Sequence, residues 1–317
     1  MNPMQKHPAV DLVIPVFNEA GVVEQTHARI RAVIDSLPYT FTIYYVDDGS
    51  TDETLAALTS LGDARVQVLE LSRNFGHQAA LTAGMDATHG DIVITMDGDG
   101  QHPPEMIPQM LDLVLQGYDV VQTQRMDEVK PASFKKWTSG LFYRLINAIS
   151  GTRILPGTAD FRAMSRQAVD AIKAMPEYHR FLRGMVAWIG LPTVILPYQP
   201  AERISGVSKY SLRKMFNLAM DAIFSFSLMP LYIGLSMGGF FLFLALAEMV
   251  YVLSFWVTGR TSNLAPGWSS LMFIILIVGG MLMVLLGFIG VYVGYIFQEV
   301  KHRPVYLVKK RHDTAKE

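Results

Sequence analysis

The sequence predicts an α/β domain built on a mostly parallel sheet, followed by a hairpin of two membrane-spanning helices. Apolar runs alternate with helical patterns through the first half, and two long runs almost free of charge lie near the end. Half of the 317 residues are hydrophobic and 17% are charged. The mean hydropathy of +0.26 is high for a wholly soluble protein. A chain of this length fits about two domains.

Five strands are predicted from short apolar runs, at 11–16, 41–46, 66–71, 91–96 and 118–123. Helices are predicted at 20–37, 52–61, 78–88, 104–116 and 134–149. Strands that alternate with helices form a mostly parallel sheet with helices on both of its faces. Ligands of such sheets bind beyond the carboxyl ends of the strands, so the residues that follow each strand carry the functional information.

The two long apolar runs cover 228–257 and 268–297, and Glu248 is the ionisable residue within them. About 20 apolar residues span a bilayer core, so each run is long enough to cross a membrane. The alternative is a pair of buried core helices, but helices of soluble proteins keep a polar face.

Basic residues flank both ends of the hairpin, whereas the turn between its helices has only Arg260. The excess of positive charge predicts that both ends are cytoplasmic. We therefore expect a cytoplasmic domain at 1–210, an amphipathic juxtamembrane helix at 211–227 and a basic cytoplasmic tail at 298–317.

Composition and missing motifs exclude several classes of protein. Lys and Arg total 27 against 28 Asp and Glu, which lacks the basic excess that nucleic-acid binding requires. The sequence has no cysteine, so disulfides, thiolate metal sites and cysteine nucleophiles are excluded. A Walker lysine motif is absent, and no GxGxxG follows the first strand, which argues against P-loop hydrolases and dinucleotide oxidoreductases.

Acidic residues cluster after two of the predicted strands. Asp47 and Asp48 follow the second strand, and Asp97 and Asp99 follow the fourth. A lone DxD is often an exposed turn, and a helix cap near Asp52 explains only part of the pattern. Crowded carboxylates repel one another unless a cation or hydrogen bonds offset them. Two acids spaced by one residue beside glycines suit a divalent cation whose other ligands are phosphate oxygens.

Longer motifs then resemble glycosyltransferase family 2, which has the GT-A fold. They are IPVFNE at 14–19, VDDGSTDET at 46–54, SRNFGHQAALTAGMDATHGD at 72–91 and MDGDGQHPPE at 96–105. GTADFRAMSR at 157–166, AERISGVSKYS at 201–211 and RPVYLVKKR at 303–311 resemble the polyprenyl-phosphate glycosyltransferases. That group includes the dolichyl-phosphate mannose synthases and the bacterial undecaprenyl-phosphate glucosyl and aminoarabinosyl transferases. The resemblance covers nearly the whole chain.

The resemblance implies roles for individual residues. The nucleotide sugar would contact Pro15, Phe17, Glu19, Asp47, Asp48 and Asp97. Mg²⁺ or Mn²⁺ would be bound by Asp97, Asp99 and Gln101. The expected catalytic residues are Asp160, Arg203 and Lys209. The acceptor phosphate would be held by Arg125, Lys135, Arg162, Arg203, Ser205 and Lys209. The family usually has DADLQ where this chain has DGDGQ, so the turn that carries the metal ligands is expected to be looser.

Asp160 has two further readings besides a general base. A phosphate monoester has a second pKa of about 6 and is mostly a dianion near pH 7, so a base gains little. Asp160 would then orient the acceptor phosphate or a sugar hydroxyl. Alternatively, it pairs structurally with Arg162.

Further features of the sequence concern helix packing and the surroundings of the site. The helix at 134–149 combines basic and aromatic residues, which favours a helix at the membrane interface, although an ordinary core helix fits as well. His77 and His102 are expected to be polar residues at the rim of the site. Gly234 with Gly238, and Gly290 with Gly294, form GxxxG patterns that allow close helix contact within the hairpin or between subunits.

The expected enzyme is a metal-dependent inverting hexosyltransferase of the bacterial inner membrane. It would transfer one sugar from a nucleotide sugar, with UDP-glucose expected, to undecaprenyl phosphate. GDP-mannose, a UDP-amino sugar or a non-catalytic scaffold are the alternatives. A processive polysaccharide synthase is disfavoured because QxxRW is absent. The expected partners are the lipid acceptor, the membrane, further copies in a tetramer, a flippase and a periplasmic glycosyltransferase, with no nucleic acid.

Overall fold

The structure, a computed structural model, describes residues 7–126, 158–178, 180–199, 229–259 and 267–314. The chain divides into two compact units. One contains the sheet and includes the last segment from His302 onward, and the other lies between Met220 and Lys301. The predicted helices at 134–149 and 211–227 lie outside the described residues.

The first unit is built on an eight-stranded sheet. Its strands are β1 Ala9–Val16, β2 Thr40–Asp47, β3 Val66–Leu71, β4 Ile92–Thr95, β5 Val120–Arg125, β6 Thr158–Ser165, β7 Thr193–Tyr198 and β8 Val308–Asp313. Their spatial order is β7-β5-β6-β4-β1-β2-β3-β8. Neighbours β4, β1, β2 and β3 are parallel, as are β5 and β7. The prediction of an α/β fold with a mostly parallel sheet is confirmed.

Two strands run against this direction. β6 lies antiparallel between β4 and β5, and β8 pairs antiparallel with β3. Neither strand was predicted. β8 has the sequence VKKRHD. Because most of its residues are charged, it does not form the apolar run from which strands were predicted.

Helices connect the strands of the described region. They are α1 Val23–Ile34, α2 Thr54–Thr59, α3 His77–Ala87, α4 Ile107–Leu115, α5 Arg166–Lys173 and α6 Leu182–Trp188. The first four confirm predicted helices with shorter bounds, and the turn Pro104–Met106 before α4 is a 3₁₀ helix. Helices α5 and α6 were not predicted. The core between helices and sheet is apolar and includes the fully buried Leu12, Ile14, Ile43 and Ile94.

Helix α3 packs against β1 and β2 with its backbone unusually close to the sheet. A Cβ atom at Gly84 would lie 2.2 Å from Cγ1 of Val13 and 3.0 Å from Cγ2 of Val46. Glycine at this position therefore allows the close approach that fixes where the first residue of α3 lies.

The described residues of the second unit form two long helices, α7 Met229–Val257 and α8 Trp268–Val300. Gly234–Phe255 and Ile277–Val300 are long and apolar enough to cross a membrane. Large apolar side chains along both helices are exposed, which a soluble core pair would bury. Gly234 lies against Leu285, where a Cβ would be 2.1 Å from Cδ1. Among the described residues, no such close contact occurs at Gly238, Gly290 or Gly294.

Candidate active site at the strand ends

The loops after β1 and β2 are joined by hydrogen bonds. Asn18 has a positive φ of 54°, and its Oδ1 accepts from the backbone N–H of Thr51 at 2.9 Å. The backbone N–H of Glu19 donates to Oγ1 of Thr54 at 2.8 Å. Pro15 is buried in β1, whereas Phe17 and Glu19 are partly exposed. Phe17 and Glu19 therefore lie at the sheet edge where the nucleotide was predicted to bind, and their contact with it stays a prediction.

Asp47 and Asp48 are both buried. The carboxylate of Asp48 accepts from the backbone N–H groups of Phe75 at 2.8 Å and Gly76 at 2.9 Å. Asp47 accepts from the backbone N–H of Ser50 at 3.2 Å. Burial raises the pKa of both carboxyl groups, against the lowering effect of these hydrogen bonds. The structure thus gives Asp48 a clear task, which is to hold the loop after β3. Contact of either residue with a nucleotide stays a prediction.

The DxD segment follows β4 as predicted. Gln101 donates to Asp99 from its backbone N–H at 3.0 Å and from Nε2 at 2.6 Å. The Oε1 atom of Gln101 accepts from Arg125 at 3.4 Å. Gln101 therefore orients Asp99 in this arrangement. Oδ1 of Asp97 is buried and makes no hydrogen bond to the described residues.

This donor set fits a divalent cation. Carboxylate oxygens are the ligands that Mg²⁺ and Mn²⁺ prefer. Oδ1 of Asp97 makes no hydrogen bond to the described residues, and its nearest partner is Nε2 of His77 at 3.4 Å. Within the described residues, no three His, Cys, Asp or Glu side chains form a metal-binding group. Phosphate oxygens of a bound nucleotide would have to complete the coordination, as is common for Mg²⁺.

His102 is buried and contacts Asp97 of the DxD segment. Its Nδ1 accepts from the backbone N–H of Asp97 at 2.9 Å, and its Nε2 lies 3.6 Å from Oδ2 of the same residue. The buried ring stacks on Phe161, with centroids 5.1 Å apart. The prediction that His102 is a rim residue is wrong, because the ring is packed beneath Asp97.

Asp160 lies beside the DxD segment because of strand register. Thr95 of β4 pairs with Arg162 of the antiparallel β6. Extending that register by two residues places Asp160 opposite Asp97. The hydroxyl of Thr95 donates to the carbonyl of Asp160 at 2.6 Å, which ties the two strands together at this point.

Two arginines neutralise Asp160. Arg162 Nη2 lies 2.5 Å from Oδ1, and Arg183 Nη2 lies 3.0 Å from Oδ2. Burial would raise the pKa of Asp160, but Arg183, His77 and Arg162 together hold it well below its usual value. The side chain of Asp160 is therefore ionised at neutral pH. Its pairing with Arg162, one of the readings of the sequence, is confirmed.

His77 begins α3 and points between the two acidic groups. Its Nε2 lies 3.4 Å from Oδ1 of Asp97 and 3.6 Å from Oδ2 of Asp160. Burial would lower the pKa of His77, but Asp97 and Asp160 raise it to about 9. The side chain is 42% exposed, so a ligand at the sheet edge can reach it.

The remaining predicted residues divide into two groups. Arg125 contacts Gln101 at the end of β5, and Arg162 is buried beneath Asp160. Lys135, Arg203, Ser205 and Lys209 lie outside the described residues. The sequence reading missed Arg183 altogether, although a single cation in the apolar segment FLRGMVAW at 181–188 was an available signal.

Comparison with known proteins places the chain in a family. The model for "Glycosyl transferase family 2" matches residues 11–173. This range includes the acidic residues that follow β2 and β4 and also Asp160. The chain belongs to glycosyltransferase family 2. The resemblance recognised from its motifs is therefore confirmed, and the chain is a glycosyltransferase.

Similar members of the family match nearly the whole chain. The SfII prophage-derived bactoprenol glucosyl transferase of Shigella flexneri is 38% identical, covering 96% of this chain and 98% of the relative. The uncharacterized glycosyltransferase YkcC of Bacillus subtilis is 39% identical over 97% of this chain and 95% of its own. A prophage bactoprenol glucosyl transferase homolog of Escherichia coli is 37% identical over 95% and 98%.

The fold also matches a solved structure. Mannosyl-3-phosphoglycerate synthase from Rubrobacter xylanophilus superposes with a TM-score of 0.50 at 20% identity. The match covers 68% of this chain and 72% of that one. At this identity the likeness concerns the fold alone, and it agrees with the predicted GT-A architecture.

Proposed function

We propose that this glycosyltransferase moves one glucose from UDP-glucose to undecaprenyl phosphate at the cytoplasmic face of a bacterial inner membrane. The observation that carries the proposal is the near full-length likeness to bactoprenol glucosyl transferases, at 37–38% identity over 95–96% of the chain. Such a match includes both the sheet unit and the two long apolar helices.

A lipid acceptor agrees with the exposed apolar surface of α7 and α8. Exposure of this surface to water is unfavourable, whereas contact with lipid tails is not. The pairing of β8 with β3 supports a hairpin with both ends on one side of the membrane. The chain leaves the sheet unit before α7 and returns to the same sheet after α8, so the helix pair crosses an even number of times.

The chemistry of the strand ends agrees with transfer from a nucleoside diphosphate. A divalent cation held by Asp97 and Asp99 would stabilise the negative charge that develops on the leaving diphosphate. Gln101 keeps Asp99 oriented, and His102 keeps Asp97 in place. Arg125 stands at the same edge, exposed at the end of β5, where it is proposed to contact the acceptor phosphate.

Asp160 is proposed to act by position and charge. Its pKa lies well below the usual value, which makes it a weak proton acceptor near neutral pH. An acceptor phosphate is already mostly ionised at that pH and needs no base. Asp160 would instead orient a sugar hydroxyl or the cations around it. Arg203, Ser205 and Lys209 are proposed to close over the phosphates, with Lys135 near the lipid headgroup.

The product would be a polyprenyl-phosphate sugar facing the cytoplasm. Two helices do not enclose a route for a sugar across the membrane, so we propose that a separate flippase and a periplasmic glycosyltransferase follow. A tetrameric assembly is part of the proposal as well. GDP-mannose and UDP-amino sugars are the alternative donors.

The test is transfer by the purified full-length protein in detergent. Undecaprenyl phosphate is mixed with a panel of radiolabelled nucleotide sugars, with Mg²⁺, Mn²⁺ or EDTA. We expect label in the lipid phase from UDP-glucose, and only with metal present. If only a different nucleotide sugar gives transfer, that sugar is the donor instead of UDP-glucose. No transfer from any donor would contradict the proposed reaction.

Matched variants separate the metal site from general damage. Asp99→Ala removes one proposed ligand, and we expect loss of transfer with an unchanged thermal unfolding temperature. Asp112→Ala removes an exposed carboxylate on α4 and is expected to behave like wild type. Equal activity of the two variants would contradict a role for the DxD segment in transfer.

A further inference from the structure

His77 is the side chain that lies between the two acidic groups of the site. One atom, Nε2, is within 3.6 Å of carboxylate oxygens of both Asp97 and Asp160. Asp97 follows β4 and Asp160 lies within β6, and the two residues are 63 positions apart in the sequence. Without a donor between them, two facing carboxylates repel.

The backbone places His77 with little freedom. Asp48 holds the N–H groups of Phe75 and Gly76 just before it. Gly76 has a φ of +99°, a conformation suited to glycine that turns the chain into α3. Gly84 then seats the same helix tightly on β1. The ring of His77 is therefore presented to the site by a rigid loop and a rigid helix.

Asp160 and Asp97 differ in how else they are supported. Asp160 has Arg162 and Arg183 as further partners. Oδ1 of Asp97 makes no hydrogen bond to any described residue and is approached by His77 at 3.4 Å. Loss of the His77 ring would thus leave this oxygen of Asp97 without its neighbour.

We propose that His77 is a positioning residue, whose Nε2–H holds the carboxylates of Asp97 and Asp160 in the arrangement that metal–diphosphate binding and sugar transfer require. This inference rests on the proposed function, because it assigns Asp97 to the metal and Asp160 to the transfer step. Residues that contact a metal ligand from outside the coordination shell and orient it typically contribute 10- to 100-fold to affinity or activity.

Two amide substitutions test where the donor must lie. Glutamine places its side-chain N–H the same number of bonds from Cα as Nε2 of histidine, whereas asparagine is one bond shorter. His77→Gln therefore retains a donor at the required place, and His77→Asn retains a similar amide that falls short. His89→Gln, at an exposed position after the far end of the same helix, is the control for loss of a histidine.

Binding of Mn²⁺ with UDP is measured by titration calorimetry on the full-length protein, beside kcat and KM for transfer. We expect His77→Asn to weaken Mn²⁺–UDP binding and lower kcat by about 10- to 100-fold. His77→Gln should recover most of both losses, and His89→Gln should match wild type. All proteins should unfold at the same temperature.

The outcomes separate this proposal from the proposed function. His77→Asn with wild-type binding and kcat would overturn the role of His77, as would equal losses in the glutamine and asparagine variants. If the wild type transfers no sugar to lipid, the proposed function fails, while the order of Mn²⁺–UDP affinities among the variants still decides the role of His77. A wild type that binds no Mn²⁺–UDP overturns both.

Discussion

Arg183 donates hydrogen bonds to the carboxylate of Asp160 from two of its nitrogens. Nη2 lies 3.0 Å from Oδ2 and Nε lies 3.3 Å from Oδ1. Arg162 approaches Oδ1 from the buried side, where its side chain is 2% exposed. Asp160 is thereby fixed in orientation as well as in charge, because a two-point contact with a planar guanidinium restricts the carboxylate plane.

The first prediction concerns the geometry of this contact. Arg183→Ala removes a charge-assisted, two-point hydrogen bond, which contributes about 1.5–3 kcal/mol. We expect transfer to fall by a corresponding factor of about 10 to 150, at one decade per 1.4 kcal/mol. Arg183→Lys keeps the charge but cannot make two parallel hydrogen bonds, so its activity should lie between those of the wild type and Arg183→Ala. A lysine variant as active as wild type would show that charge alone suffices.

The second prediction is the pH dependence of an Asp160→Asn variant. The pKa of Asp160 lies well below 3.8 because Arg183, His77 and Arg162 outweigh burial. The carboxylate is therefore ionised at every pH from 5 to 9, and its removal should lower kcat by the same factor throughout. A loss confined to pH below 6, with near wild-type rates above pH 8, would instead identify Asp160 as a proton acceptor.

The same shift has a consequence for stability. A pKa that is lowered on folding stabilises the native state above the unfolded value and ceases to do so as pH falls through the folded value. Asp160 should therefore stabilise the sheet unit fully above pH 3.8. Asp160→Asn leaves the buried Arg162 and the partly exposed Arg183 without their anionic partner, and breaking a buried ion pair costs about 3–5 kcal/mol. Thermal unfolding of this variant must be measured beside its pH–rate profile.

The third prediction compares two glycines with similar backbone conformations. Gly49 has a φ of +69° and Gly62 has a φ of +62°. A Cβ at Gly49 would lie 2.5 Å from the carbonyl carbon of Arg73, whereas no atom of the described residues lies within 4 Å at Gly62. Gly62→Ala should cost about 1–2 kcal/mol from backbone strain alone.

Gly49→Ala adds a clash with backbone to the same strain. We expect a total cost of about 2–5 kcal/mol and weaker Mn²⁺–UDP binding, since the displaced backbone at Arg73 leads directly to Phe75, which Asp48 holds. Denaturant unfolding and calorimetry measure the two effects. Equal destabilisation by both alanines, with unchanged binding, would contradict the close approach of the two loops.

Sequence reasoning succeeded where function follows from strand order. Parallel strands end at one edge, so the apolar runs before Asp47 and Asp97 were enough to predict that both groups lie there. The long apolar runs of α7 and α8, which carry almost no charge, were equally clear. These features depend on local composition and on a general rule of α/β folds, and neither requires knowledge of distant contacts.

The missed features depend on contacts between distant segments. Asp160 reaches Asp97 only because β6 enters the sheet antiparallel between β4 and β5, which breaks the predicted strand alternation. Arg183 and His77 then meet Asp160 from two different helices. A histidine or arginine within a helix gives no local sign of such a partner, so the contacts of His77 and Arg183 with Asp160 could not be predicted from the sequence.

The C-terminal segment gives the last prediction, because it returns to the sheet that the chain left before α7. Tyr306 donates from its hydroxyl to Oδ2 of Asp86 on α3 at 2.8 Å, and the backbone N–H of Ser72 donates to the carbonyl of Leu307 at 2.9 Å. These bonds tie the two residues before β8 to the helix that begins with His77 and to the residue after β3.

Tyr306→Phe removes the hydroxyl and keeps the ring. We expect the sheet unit to lose about 1 kcal/mol of stability, the usual net value of one hydrogen bond. Asp86→Asn should cost a similar amount, and the double variant should cost little more than either single change, since both remove the same bond. Denaturant unfolding of the four proteins measures this coupling. Fully additive losses would mean that the hydroxyl and the carboxylate stabilise the protein independently of each other.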